Sequence, residues 1–406
     1  MGRAPHSRSL PNVINTLAQL APEPLAQDAS TKVKFTLIRD YPFGRLRMTE
    51  TAEPAPQLAL HPSRMFPAWL AGTEASLAFT TYQAGKIFFI GTEPDTGKLS
   101  IFERSFPRCM GLGVGDGRLW LASLYQLWRF ENFLEPEQTQ DGYDAVYVPV
   151  EGRTTGDVDI HDVHAWAGHD EPLFVVTRFN CLATLDRDNS FAPVWKPPFI
   201  DRIAAEDRCH LNGLAMNDGA PAYVSCVGRT NVAGGWREHR REGGIVLDVA
   251  SGEAVASGLS MPHSPRWHDG ALYLVQSGTG EFGRVDLASG RFEPMCFLPG
   301  FARGVGFIGR HAIIGVSRPR EDRTFEGLAL NERLEAEGLS PRCHLAVVNL
   351  DTGDVEHSLE IDGAVQELYD VAILPGVRRP MALGFKTDEI RFMIRPAEMG
   401  NERVAT

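Results

Sequence analysis

The chain has no apolar run near the ~18 residues a membrane-spanning helix needs, and its N-terminus lacks the apolar core of a secretory signal. It is short of basic charge: 40 Lys and Arg against 52 Asp and Glu leave a net charge of −12. General binding to nucleic acid or to an anionic membrane surface is therefore not expected. Cysteine is sparse, with six residues and no CxxC pair, so neither a disulfide framework nor a paired-cysteine zinc site is expected. A soluble protein in the reducing cytoplasm is the simplest expectation. Long amphipathic helices are missing too, down to residues 323–339.

What the chain does contain is a recurring phrase. Glu206 to Tyr223 reads as a polar loop (EDRCH), an apolar strand (LNGLAM), an Asn-Asp-Gly turn and a second strand. The same grammar returns as MPHSPRWHDGALYLV from Met261, FARGVGFIGRHAIIGV from Phe301 and RCMGLGVGDGRLWLAS from Arg108. The strongest runs are SLAFTT, RLWLAS, PLFVVT, PAYVSC, ALYLVQ, HAIIGV and PMALGF, with successive starts 42, 54, 49, 50, 40 and 69 residues apart. Four strands per 40–55 residues in an all-β chain is the signature of a β-propeller. Seven runs predict a single propeller of seven four-stranded blades, or six if the first and last sets share a blade. A strand before Phe66, QLALH, is expected to close the ring and remove its exposed edges. Asp186, Asp248, Asp286 and Asp351 fall at hairpin positions where an Asx turn suits them.

The propeller is assigned residues 61–394. Residues 1–60, rich in Pro, Ala, Ser and Arg and ending in TAEPAPQ, read as a disordered extension and linker. Met48 is a second plausible start, and 395–406 read as a flexible tail.

HLNGLAM, AGGWRE at Ala233, GLSMPHSPRWHDG at Gly258, SGTGE at Ser277 and RTTGDVDIHDVHAW at Arg153 together resemble an uncharacterised bacterial β-propeller family. That family is catalogued as a conserved hypothetical domain, sometimes attached to tetratricopeptide repeats. The resemblance runs from Phe66 to Phe385 and implies the fold alone. A weaker one, confined to NGLA at Asn212 to Ala215, is to gluconolactonase and paraoxonase propellers, and implies calcium at Asn212. His210 two residues earlier, and the lack of an acidic residue in AYVSC, make calcium less expected than a transition metal.

In a propeller the loops entering the innermost strands share one mouth of the channel with the loops joining second to third strands, and ligands collect there. The sharpest constellation at that mouth is His161 or His164, His210 and His263, at equivalent positions in three consecutive blades. Three imidazoles with an open position suit zinc or another divalent transition metal. The same residues could instead cap turns at the rim or act as metal-free acids and bases. Glu367, Tyr369 and Asp370 are the candidate catalytic groups. Arg178, Arg229, Arg318 and Lys386 would aim cations at the mouth for an anionic substrate, joined by Asn180, Asn212, Trp236 and Arg303. The insertion from Arg318 to Arg342, partly helical by composition, reads as a lid or rim, or as surface decoration. The expected function is a metal-dependent hydrolase or lyase acting on a small anionic molecule. The alternative is a non-catalytic propeller that binds a ligand, peptide or protein.

Overall fold

The computed structural model describes residues 58–319 and 326–396, together with two short strands nearer the N-terminus. The chain divides into units 1–55 and 56–406. In the first, Phe35–Thr36 pairs antiparallel with Arg47–Met48. Residues 58–60 of the expected extension and linker are described and enter the strand Ala59–Pro62; the rest of it, and the end of the expected tail, lie outside the described residues.

The second unit is a six-bladed β-propeller. Blades 1 to 5 begin, in order, with the inner strands Cys109–Gly115, Ile160–His164, Leu211–Asn217, Pro262–His268 and Phe301–Ile308. Blade 6 joins the two ends of the domain: its inner strand, Val371–Pro375, pairs antiparallel with Ala75–Thr81, which is followed by Lys86–Thr92 and Leu99–Ser105. Inner and second strands are covered on both faces, which is why they read as near-continuous apolar runs. Apolar side chains fill each blade-to-blade contact, as where Leu77 and Phe79 of blade 6 meet Ile313 and Leu345 of blade 5.

Six of the seven runs are second strands. The seventh is not: Pro380–Ala382, from PMALGF, adds in parallel to Ala145–Thr154 as a fifth strand on the outer edge of blade 1. The N-terminal segment is also placed differently from expectation, with Ala59–Pro62 pairing antiparallel to Val355–Asp362 at the outer edge of blade 5. Closure is instead made by the C-terminal inner strand of blade 6. Of the hairpin carboxylates, Asp186 and Asp248 accept the backbone N–H three residues on, each at 2.7 Å, and Asp286 accepts that of Ala288 at 3.1 Å. In blade 5 the same work falls to Asn349, whose Oδ1 accepts the Asp351 N–H at 2.9 Å.

The inner strands carry a device that the apolar pattern does not reveal. In blades 2, 4 and 6 the first inner residues are His161-Asp162-Val163, His263-Ser264-Pro265 and Tyr369-Asp370-Val371; in blades 1, 3 and 5 the middle position is Gly111, Gly213 or Gly304. The side chains of Asp162, Ser264 and Asp370 each accept a backbone N–H from the next blade, that of Leu214 at 3.0 Å, Gly304 at 2.9 Å and Leu112 at 2.8 Å. The glycines make room for this. A Cβ on Gly213 would lie 2.5 Å from Pro265 Cδ, and one on Gly304 would lie 2.7 Å from Asp370 Cα. The ring is therefore three pairs of blades.

Candidate functional site

Register breaks in the inner strands take residues 161 and 162 of blade 2, and 264 and 265 of blade 4, out of the ladder. Left-handed residues precede the histidines of those strands, Asp159 at φ 62° and Met261 at φ 47°. Such strain in non-glycine residues costs about 1 kcal/mol or more each and gathers at functional sites. It turns His161 and His263 toward the channel mouth, where a cavity of about 190 Å³ is lined by Tyr82, Asp159, His161, Asp207, His210, Trp236, Arg237, Met261, His263, Arg303 and Tyr369.

The imidazoles are oriented by one chemical rule. His161 Nδ1 lies 3.0 Å from the Asp159 carbonyl and 2.8 Å from Thr177 Oγ1, and that hydroxyl donates onward to the Leu211 carbonyl at 2.7 Å. His263 repeats the arrangement two blades on, with the Met261 carbonyl at 2.8 Å and Ser277 Oγ at 2.9 Å, the serine donating to the Ala302 carbonyl at 2.6 Å. A carbonyl only accepts, so both rings carry their proton on Nδ1. His210 Nδ1 sits 3.0 Å from Asp207 Oδ1, and the Trp236 indole donates to the same carboxylate at 2.7 Å while stacking on the imidazole at 4.2 Å. Nε2 of all three rings has no hydrogen-bond partner among the described residues.

Burial sets the charge states. It pushes His161 down to about 4, against the opposing pull of Asp159. It pushes His263 well below its ordinary value, helped by the Arg303 charge. Burial opposes ionisation of Asp207, but the His210 contact and the indole bond outweigh it and hold the carboxyl below its ordinary range. The Tyr369 hydroxyl is raised well above its ordinary value, first by burial and then by Asp159. Arg303 donates to Glu367 Oε1 at 2.9 Å, both side chains being buried, and its guanidinium lies 5.0 Å over the Tyr369 ring.

The expected site residues divide. His161, His210, His263, Trp236, Arg303 and Tyr369 meet at the cavity, and Glu367 stands behind Arg303. His161 and His263 are equivalent positions; His210 is not, because Asn212 takes its place in the register. Asn212 is buried and donates from Nδ2 to the Pro262 carbonyl at 2.9 Å. Asn180 is buried and accepts the Cys209 N–H at 2.9 Å. Cys209 itself is buried, which raises its thiol well above the ordinary value and removes it as a nucleophile.

His164 and Asp370 do not reach the cavity but belong to a buried hub. There Arg266 Nη1 meets Asp162 Oδ2 at 2.7 Å, Arg266 Nη2 lies 3.5 Å from Asp370 Oδ1, and His164 Nε2 is 2.9 Å from Asp162 Oδ1. The expected cation ring does not form. Arg178 pairs with Asp157 at 3.6 Å, Arg318 with Asp362 at 3.5 Å, and Arg229 lies over Phe199 at 5.8 Å. Lys386 follows the fifth strand of blade 1, Pro380–Ala382, and not a second strand. Tyr82, Met261 and Arg266 were not anticipated. The insertion supplies the helix Ala329–Glu337, whose Leu330 and Leu334 pack with Trp236, Met261 and Phe301 behind the cavity wall, so it is a buttress to the rim.

The domain of unknown function DUF4915 matches residues 64–383, from just before the helix Phe66–Gly72 to just past the strand Pro380–Ala382. The chain belongs to the DUF4915 family. The DUF4915 match takes in all six blades and every residue that lines the cavity. No curated protein matches the chain. Among solved structures, the DUF4915 chain is similar to one from a nidogen/laminin complex, at 12% identity over 74% of this chain and 98% of that one, with a TM-score of 0.46. A protein of unknown function from Bacteroides caccae gives the same figures. A catalytically inactive virginiamycin B lyase from Staphylococcus aureus, with quinupristin, is similar at 12% identity over 64% and 96%, with a TM-score of 0.35. Among the described residues of this DUF4915 chain, no helix is long and apolar enough to cross a membrane. Nor does any group of three or more His, Cys, Asp or Glu side chains among them stand ready to hold a metal ion.

Proposed function

We propose that the channel-mouth cavity binds a divalent transition metal through Nε2 of His161, His210 and His263 and acts on a small anionic molecule by hydrolysis or elimination. The observation that carries this reading is the committed Nδ1 of all three rings. Metal-binding imidazoles are held in this way, with the second nitrogen donating to a carbonyl or carboxylate. Burial keeps His161 and His263 uncharged at neutral pH, so their lone pairs are available without prior loss of a proton. A bound ion would supply Lewis-acid activation of a carbonyl or of water. Asp207 fixes the His210 ring, Trp236 shields it from solvent, and Arg303 brings positive charge for the substrate.

A second reading rests on the rings not being gathered for coordination as they stand. In it the site is metal-free, and the same Nε2 atoms accept protons or hydrogen bonds from the ligand.

Metal content of the purified native protein, beside a His210→Ala, His263→Ala double variant, separates the two. Near-stoichiometric zinc, iron, manganese or copper that is lost in the variant supports the first. No metal in either protein, even after reconstitution, leaves the second.

A further inference from the structure

The cavity is chemically two-sided. One wall presents acceptors, the unpartnered Nε2 atoms of the three imidazoles. The other presents donors. The Arg303 guanidinium has five N–H donors, yet it makes one hydrogen bond among the described residues, to Glu367, and its Nε is buried without a partner. The Tyr369 hydroxyl is likewise buried and unpartnered. Both residues are more than nine-tenths buried, at 8% and 5% exposure. Buried donors left unspent are uncommon in a folded chain, and where they gather in one pocket a ligand is the natural acceptor.

Resting on the function proposed above, we infer that this wall receives the carboxylate of a small monocarboxylate ligand, held by Arg303 and by the Tyr369 hydroxyl opposite the histidines. Glu367 acts as a positioning residue that holds the guanidinium. Donor geometry selects the ligand class: the planar guanidinium fork of Arg303 beside a hydroxyl matches the two coplanar oxygens of a carboxylate. Size narrows the class further. A cavity of about 190 Å³ has room for a small carboxylate. Tyr82, stacked on Tyr369 at 5.6 Å, and Trp236 supply the flat apolar flanks.

The test uses the full chain, stripped with a chelator or reloaded with Zn²⁺ or Mn²⁺, and titrated calorimetrically with glycolate or with inorganic phosphate. Tyr369→Phe removes one oxygen, and Arg303→Lys keeps a cation beside Glu367. The metal-loaded wild type should bind glycolate in preference to phosphate. Each variant should weaken glycolate by about tenfold, the loss of one hydrogen bond to a charged group, while binding metal as the wild type does. Retained metal with glycolate affinity unchanged in both variants overturns the subsite and leaves the histidine site standing. No metal in the wild type, with glycolate binding that still depends on Tyr369 and Arg303, refutes the metal reading and keeps the subsite. Tighter binding of phosphate, or no glycolate binding by the loaded wild type, overturns the carboxylate assignment.

Discussion

Replacing Arg266 by Met would strike a point at which five blades meet directly and blade 1 joins through Asp370. Its Nη1 donates to Asp162 at 2.7 Å and to the Leu214 and Pro265 carbonyls at 3.0 Å. Its Nη2 reaches Asp162 Oδ1 at 3.1 Å and Asp370 at 3.5 Å, and its Nε donates to the Val305 carbonyl at 3.1 Å. Asp162 and Asp370 also hold the backbones of blades 3 and 1. Without the guanidinium, two carboxylates each about 2% exposed face one another with no permanent cation between them. Removing one partner of a buried ion pair costs about 3–5 kcal/mol. For the roughly 320 residues of the ring, an unfolding entropy near 2.1 cal/mol/K per residue makes that a fall in Tm of about 4–7 °C.

The loss should also depend on pH. One cation between two carboxylates leaves Asp370 raised to about 7, by burial first and by Asp162 second. Asp162 is driven below its ordinary value because Arg266 and His164 outweigh its own burial. A carboxyl whose folded pKa lies above its unfolded one contributes stability that is complete at low pH and is lost as pH rises through the folded value. The variant should thus be least stable relative to wild type at pH 8 and recover in part at pH 5, where protonation stands in for the missing cation. Adding Asp162→Asn and Asp370→Asn should restore stability at pH 8. Urea unfolding at both pH values measures this. A loss under 1 kcal/mol, or one equal at pH 5 and pH 8, would refute the account of the hub.

Thr177→Val removes one of the two acceptors for His161 Nδ1 and the bond to blade 3; it should cost about 1–2 kcal/mol and, on the proposed metal reading, lower metal affinity 10–100-fold in a metal titration. Gly97 and Gly304 share a left-handed backbone, φ 66° and 67°, but a Cβ meets nothing within 4 Å at the first and Val371 N at 2.6 Å at the second. Gly304→Ala should therefore lower stability by about 1–3 kcal/mol more than Gly97→Ala, as read by denaturant midpoints. In chelator-treated protein His161, at about 4 against an ordinary 6.5, contributes stability that is present above pH 6.5 and is lost as pH falls toward 4, at up to ~1.4 kcal/mol per unit. Melting curves from pH 7 to 4.5 should show a shallower acid loss in His161→Gln and a steeper one in Asp370→Asn, which removes the opposing contribution.

The propeller was legible because inner and second strands are buried on both faces, and burial leaves a mark in apolar runs that recur with the blade. PMALGF carries the same mark for a different reason: Met381 and Leu383 pack against Val146 and Val148 on the outer edge of blade 1. That coincidence produces a seventh expected blade and sets Lys386 after a second strand, where it does not stand. Three of the four expected mouth cations are surface residues of this acidic chain that find local carboxylates or an aromatic ring, and spacing says nothing of such neighbours. The histidines are visible in the sequence, but their grouping follows twice the blade period and not the single one. IHDVH, PHSPR and LYDVA recur at twice the blade period, with His161, His263 and Tyr369 spaced 102 and 106 residues apart. That doubled period sets Tyr369 beside the histidines, puts Asn212 out of their company and aligns His164 with Arg266.

The way blade 6 is assembled makes translation itself hazardous for this chain. Thr80 and the Asp370 N–H that it binds are 290 residues apart, so the blade 6 strands Ala75–Thr81, Lys86–Thr92 and Leu99–Ser105 wait for their inner strand, Val371–Pro375. At 5–20 residues per second the wait is roughly 15–60 s. Throughout it Ala75–Thr81, every residue of which is buried in the finished ring, offers a bare apolar edge to any passing strand. Nascent chains should draw holdase chaperones from the first hundred residues onward, and release them when residue 375 clears the exit tunnel.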